Sequence, residues 1–529
     1  LLLTQNRFAE AFQMLERSRA QTFLAMLSER DLVFTADIPE ELDHERRRVA
    51  VLYDGTLKKL TGLNTHDHAE EIEAVRTELR RLEDETGDIE ATIRQTSPRL
   101  SVLRYPHSLD AAETREMLDH GTLLLSYSIS KKETTLFATS RSGDLELKTL
   151  PLGEEVLRSR VKQLLGLLAE AKMGSSIGKQ RRMQLQAISR ELFSELLGPV
   201  SDRIAASERL LILPDGPLHA LPFGALVRDT EDGPQYLGAW KPLHVALSAT
   251  VFAELKQGRR PAGDSNTVPD PLQLAAFGDP VYPQSLRAIK ISATALPADG
   301  DVVRGDPTVR GAAERGLFDF QPLPYSRREV QEIASLFPQG TVRTFLGPEA
   351  LEERIKSLDP NTRILHLSAH GSVDEHLPSG SFIALTIPEE AASEATGPQR
   401  DNGLLQVWEI FERVRLNADL VVLSAYDTGL GEELGGEGLI GLTRAFQYAG
   451  ARTVMASLWS VQDQATSELM IRFYKHLRAG LTKDRALQAA QQELLRGPIE
   501  VTNEKGERMV KDFSAPYYWA GFQLYGDWQ

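Results

Sequence analysis

The sequence predicts an α/β fold, a mostly parallel sheet flanked by helices, and three observations predict it. Short and continuously apolar runs, LQLAAFGDP, TRILHLSAHG, ADLVVLSAYDTG and ARTVMASLWS, recur through the second half of the chain. Unbroken apolarity marks strands buried on both faces, the pattern of parallel sheets. Between these runs lie amphipathic stretches at 324–337, 438–449 and 464–479, long enough to serve as crossover helices. A third signal lies upstream, where RLLILPDGPLHALPFGAL reads as a buried strand, a Pro-Asp-Gly turn and a second apolar segment.

The elements follow in chain order. Within QNRFAEAFQMLERSRAQTFLAMLSER, Phe8, Ala11, Phe12, Leu15, Phe23, Leu24 and Leu27 form one helical stripe. Its mix of small and aromatic residues resembles the second helix of a tetratricopeptide unit. From 66 to 96, Ile72, Val75, Leu79, Leu82, Thr86, Ile89, Ile93 and Thr96 are spaced three and four apart. Such a seam suits a coiled-coil hairpin turning at TGLNTHDH or, equally, an amphipathic helix packed on a domain. After Pro106 the runs TLLLSYSIS, TTLFATS and DLELKTL, separated by KKET and RSGD, signal an antiparallel meander. Helices are expected at 153–172 and 180–197. The segment 256–271, KQGRRPAGDSNTVPDP, reads as a linker, and the polar, Gly-rich stretch 284–320 as a mobile insertion. The expected domains are therefore a helical region at 1–99, an α/β half at 100–255, and a second α/β half at 272–529 that carries the site.

Composition removes several function classes. At 529 residues the chain exceeds one ordinary core. No apolar run spans a bilayer, so neither a membrane role nor a membrane partner is expected, and the localisation expected is cytoplasmic. A formal charge of −15 repels phosphate backbones, and Arg46-Arg47-Arg48 sits among glutamates, so no nucleic-acid partner is expected. The cysteine count is 0, which excludes disulfides, thiolate metal sites and thiol nucleophiles. The opening LLLTQNRFAEAFQ lacks a Met and is already helical in pattern, as expected of a trimmed start.

Ligands of open parallel sheets bind beyond the carboxyl ends of the strands. Two runs end suggestively there, one in HLSAHG and the other in SAYDTG. Strand alternation places His366, Ser368 and His370 on one face. His370 comes last, where a loop is expected to begin, and Gly371 permits close backbone approach with an N–H able to donate to an oxyanion. His366 reads as a satisfied core histidine. With no third ligand near the pair, no metal site is expected. GEELGGEG, at 431–438, lacks the Lys-Ser/Thr of a phosphate cradle and carries three glutamates.

Taken in order, ILHLSAHG, DNGLLQVWEIFE, VVLSAYDTGLGEELGGEGLIGLTRAFQYAGARTVMASLWSVQDQAT, FYKHLRAGLTKDRALQAAQQELL and YYWAGFQLYGDW closely resemble the CHAT domain of the caspase-like cysteine peptidases. LILPDGPLHALPFGAL and LPYSRREVQEIASLF match the run-up of that family, so the likeness covers roughly 100–529. It implies a caspase-like sheet preceded by a pseudo-caspase-like half, often behind tetratricopeptide arrays. It also implies a His–Cys dyad that needs no cofactor and cleaves a protein partner in a regulated signalling or defence system of bacterial type, with a regulatory partner engaged through the helical repeats. His370 matches the histidine. The cysteine position is Tyr426, and a phenol with a pKa of about 10 does not replace a thiol as nucleophile. Neither Ser424 nor Thr428 lies in a Gly-x-Ser-x-Gly elbow. Asp427 follows the nucleophile position and suits an acidic specificity pocket or a loop cap, while Trp459 and Asp463, after the next strand, suit the cleft wall. His219 is a remote candidate in the first half. Two readings remain: a protease module whose Tyr426 marks an inactive form, or a natural pseudopeptidase that binds polypeptide or assembles other proteins.

Overall fold

The structure is a computed structural model that describes residues 7–28, 108–171, 176–257, 272–282, 320–373, 381–387, 401–426, 437–459, 462–503 and 506–529, with isolated positions between 42 and 92. Two units divide the chain, one comprising residues 1–12 with 110–529 and the other residues 13–109. In the smaller unit Leu82 and Ile89, two positions of the predicted seam, are buried. There Arg81 pairs with Glu78 and Glu85 one helical turn away on either side, and Arg48 reaches Glu85 as well. The rest of the seam, its turn, the expected linker from 258 to 271 and the insertion up to 319 lie outside the described residues, while positions 256 and 257 close the helix Ala249–Gln257. The first helix, Phe8–Ser28, begins as its stripe predicts, and its Phe12 meets Phe137 edge to face at 5.6 Å.

Seventeen strands are described, in chain order β1 (Thr122–Ile129), β2 (Thr134–Ser140), β3 (Glu146–Leu150), β4 (Arg209–Leu213), β5 (Val227–Thr230), β6 (Gly233–Tyr236), β7 (Leu243–Val245), β8 (Leu274–Gly278), β9 (Val342–Leu346), β10 (Ile364–Ser372), β11 (Phe382–Ala384), β12 (Leu404–Gln406), β13 (Leu420–Tyr426), β14 (Thr453–Ser457), β15 (Ile499–Thr502), β16 (Arg508–Lys511) and β17 (Phe522–Gly526). Thirteen of them form one mostly parallel sheet. Its order is β12-β11-β10-β13-β14-β17-β7-β4-β1-β2-β3, with β8 pairing β10 and β9 pairing β8. β5–β6 and β15–β16 are separate hairpins. The central strands β4, β8 and β14 are buried at every residue, as their unbroken apolarity requires. The expected meander is β1-β2-β3, antiparallel throughout.

Strands from both sides of segment 256–271 thus share one sheet, and the C-terminal strand joins them. β17 runs antiparallel to β14 and parallel to β7, meeting the latter at Tyr525↔Val245. Side chains reinforce this join. Arg209 of β4 pairs at 2.9 Å with Asp484 of the helix Lys483–Leu495, both buried, and its guanidinium lies 3.6 Å from the Trp528 ring centre. Trp528 in turn donates its indole N–H to Asp119.

Helices flank the sheet. Pro324–Ala334 packs on β8, β9 and β10 and against Asp463–Arg478, while Val407–Arg413 pairs with Glu437–Ala449. Pro324 at its first turn loses no hydrogen bond, because that N–H has no partner inside a helix. Gly278 explains how closely this helix approaches: a Cβ there would lie 2.7 Å from Val330 Cγ2 and 2.8 Å from Ser326 Oγ. No described helix is long and apolar enough to cross a membrane.

Candidate active site

Neighbouring strands β10 and β13 run parallel in register, Ile364 with Leu420 through to His370 with Tyr426. Two segments more than fifty positions apart in sequence therefore set residues 370 and 426 side by side at the carboxyl end of the sheet, where parallel sheets bind ligands. Asp427, Thr428 and the segment 431–436 lie outside the described residues. Ser424 is fully buried, registered with Ser368 two positions below.

His370 differs from expectation in one respect, because the strand does not stop at it. β10 continues through Gly371 to Ser372, paired with β11 antiparallel as His370↔Ala384, Gly371↔Ile383 and Ser372↔Phe382. β8 occupies the same side of β10 lower down, at Ile364 to Leu367, and β11 takes over where β8 ends. The first half of ILHLSAHGS and its last three residues thus have different neighbours on one edge, which no local pattern encodes.

The imidazole is held from several directions. Its Nε2 lies 2.7 Å from the Gln321 carbonyl. A carbonyl only accepts, so in the neutral ring Nε2 carries the proton and Nδ1 holds the lone pair, as a general base requires. Tyr282 and Phe320 lie with ring centres 5.4 Å from the imidazole and 5.0 Å from each other. The His370 amide donates to the Tyr282 hydroxyl at 3.4 Å, and that hydroxyl donates to the Ala384 carbonyl at 2.8 Å. Burial raises the Tyr282 phenol well above its ordinary range, so it stays a donor. His370 is left 7% exposed under this cover.

Gln321 owes its place to the helix behind it. The Tyr325 amide at the helix start donates to Asp463 Oδ2 at 2.9 Å. Ser326 Oγ donates to the Ser368 carbonyl at 2.8 Å and accepts from the Asp279 amide at 2.9 Å. Arg327 pairs with Asp279. Asp463, expected at a cleft wall, thus caps the helix Pro324–Ala334 that follows Gln321. Trp459 is 5% exposed; its indole donates to the Tyr517 carbonyl at 3.0 Å and its ring stacks on Tyr517. Gly521 makes room for it, since a Cβ there would come within 2.9 Å of the ring.

His366 is the core histidine its surroundings suggested. Fully buried, it places Nε2 2.8 Å from Glu329 Oε1 and Nδ1 3.2 Å from the Tyr474 hydroxyl. The carboxylate accepts from Nε2, and Nδ1 accepts from the phenol, which burial and the Glu329 charge hold well above its ordinary range. Glu329 belongs to the helix Pro324–Ala334 that follows Gln321, and Tyr474 to the helix Asp463–Arg478 packed against it. Among the described residues, one set of carboxylates converges closely enough to surround a cation, Glu352, Asp401 and Glu409, and the Lys356 ammonium already fills its centre.

Sequence reasoning missed Tyr282, Phe320 and Gln321. They lie 49 or more positions before His370, and one of them acts through its main chain, which side-chain chemistry cannot advertise.

Comparison with known proteins adds the following. The family described as CHAT domain matches residues 186–527. Tetratricopeptide repeat protein 28 from Mus musculus is 29% identical over 248 residues, which cover 42% of this chain and 9% of that protein. Its Homo sapiens counterpart is 28% identical over 249 residues, with the same coverage of 42% and 9%. This chain therefore spans less than a tenth of either relative. Two crystal structures of the Saccharomyces cerevisiae separase–securin complex, at 2.6 and 3.0 Å, align over 98% of this chain and 40% of theirs, at 10% identity and TM-scores of 0.42 and 0.43.

Proposed function

Because this chain belongs to the CHAT domain family, we propose that it is a proteolytically inactive member whose cleft binds a polypeptide partner. The observation that carries this reading is the register His370↔Tyr426 in a chain with 0 cysteines. The family's cysteine peptidase chemistry needs a thiolate beside the imidazole, and a phenol supplies neither the acidity nor the nucleophilicity. The rest of the histidine's equipment is retained: a tautomer set by the Gln321 carbonyl and an aromatic cover that keeps water from the ring. In this reading Gly371 remains the amide that polarises a bound carbonyl, and Asp427, Trp459 and Asp463 contribute to the cleft and its support. The N-terminal helices receive a regulatory protein, a role that accords with relatives named for tetratricopeptide repeats.

The test is restoration. Tyr426→Cys, incubated with candidate protein partners, is expected to cleave one of them, and adding His370→Ala is expected to abolish that cleavage. The unmodified protein is expected to bind the same partner without cutting it. Cleavage by the unmodified protein would overturn the inactive assignment, and cleavage by Tyr426→Cys that survives His370→Ala would overturn the site.

A further inference from the structure

Beside the candidate site, the sheet ends in two short strands, β11 and β12, of three residues each. Three-residue pairings are weak in themselves, so the edge depends on what anchors it. The anchor is a buried charge cluster. Lys356 Nζ lies 2.5 Å from Glu352 Oε1, 2.7 Å from Asp401 Oδ1 and 2.7 Å from Glu409 Oε1. Exposure of these side chains is 9% for Lys356, 1% for Glu352, 8% for Glu409 and 33% for Asp401. Arg413 approaches Asp401 from outside at 4.0 Å.

The second oxygens of two of these carboxylates hold main chain. Glu352 Oε2 accepts from the Gly403 amide at 2.9 Å, and Glu409 Oε2 accepts from the Gln406 amide at 3.0 Å, bracketing β12. Gly403, at φ +87°, has no room for a Cβ, which would lie 2.7 Å from the Thr386 carbonyl. Its own carbonyl accepts from Leu385, just past β11. β11 in turn pairs with His370 through Ala384. A chain of contacts therefore runs from the cluster through β12 and β11 to His370.

Charge is out of balance inside the cluster: among the described residues, three carboxylates face one ammonium, with a single further guanidinium at the outer rim. Buried like charges at this separation do not all ionise together. We propose that Glu352, Asp401, Glu409 and Lys356 form a proton-linked latch, which clamps the β11–β12 edge beside His370 while one carboxyl is protonated and releases it as that proton leaves. Glu352 is the carrier. Burial and then the Glu409 charge push its carboxyl up to about 8, against the pull of Lys356. The lysine is itself raised, its carboxylate partners outweighing burial.

The linkage sign follows from that raised group. Closed, the latch keeps its proton up to about pH 8; open, Glu352 reverts to an ordinary carboxyl near 4.5. Stability of the closed edge is full below the ordinary value and falls as pH rises toward the closed-state value. The opening constant then grows about tenfold per pH unit across that window and levels off above it.

Hydrogen exchange read by mass spectrometry on the whole chain tests this, after correction for intrinsic exchange rates. Protection of 381–387, 401–409 and 370–372 is expected to fall about tenfold per pH unit from pH 5.5 to 7.5 and flatten above 8.5. Residues 364–367, paired with β8, are expected to show no such slope. Glu352→Gln, which mimics the protonated carboxyl, is expected to abolish the slope while keeping the edge protected. A pH-independent edge in the unmodified chain would overturn the latch without needing any variant to fold. So would a slope that persists unchanged in Glu352→Gln. Neither outcome bears on whether the cleft binds polypeptide, because no partner is present in the measurement.

Discussion

His244 carries a charge-state penalty that a single substitution reveals. It sits fully buried in β7 with Phe252 at 5.5 Å, and neither ring nitrogen has a hydrogen-bond partner among the described residues. Burial pulls its pKa down to about 4 despite the opposing charge of Asp484. A base depressed in the folded state contributes stability that is present above its unfolded pKa and lost as pH falls. The window runs from about 6.5 down to about 4, at roughly 1.4 kcal/mol per pH unit. In His244→Leu, urea titrations between those pH values are expected to show a slope flatter by that amount; an unchanged slope would show that His244 does not govern acid stability. Residues of this kind were partly legible beforehand. His370 and Tyr426 stood out because each ends an apolar run, and His366 was separable from His370 because a mid-strand histidine points into a core. The Gln321 carbonyl was not legible, since any residue type supplies one. Nor was Asp463 as a helix cap, because the amide it accepts from lies 138 positions earlier.

Individual elements followed the patterns that predicted them, and their pairing did not. β1 to β4, β8, β10, β13 and β14 were visible as β-rich or apolar runs, and the helices Glu154–Ala171, Ser176–Leu196, Pro324–Ala334, Glu437–Ala449 and Asp463–Arg478 as helical patterns. β11 and β12 were not, because three residues carry no periodicity and become strands only against β10. β17 was visible as a motif but not as a bridge, since its two neighbours are set by tertiary pairing alone. The buried Arg209–Asp484 pair tests how much side chains contribute to that bridge. Either Arg209→Met or Asp484→Leu alone strands a buried charge and is expected to cost about 3–5 kcal/mol. The double variant is expected to recover most of that loss, because two apolar side chains replace the pair without desolvating an ion. Chemical denaturation of the four proteins gives the coupling directly. Strict additivity of the two losses would mean that the pair does not couple β4 to the helix Lys483–Leu495.

At the scale of the whole molecule, one sheet of thirteen strands draws on both halves of the chain after residue 110, and it assembles a histidine site from segments spread between 282 and 426. The chain holds no thiol anywhere. That absence makes a clean experiment available, since one introduced cysteine is the only group a thiol reagent can alkylate. The measurement is the alkylation rate of Tyr426→Cys as a function of pH, in the folded protein, with and without His370→Ala. An imidazole beside the sulfur favours the thiolate, so the inflection is expected well below the ordinary value of about 8.5 and is expected to return toward it when His370 is removed. An inflection that is the same with and without His370 would contradict the site.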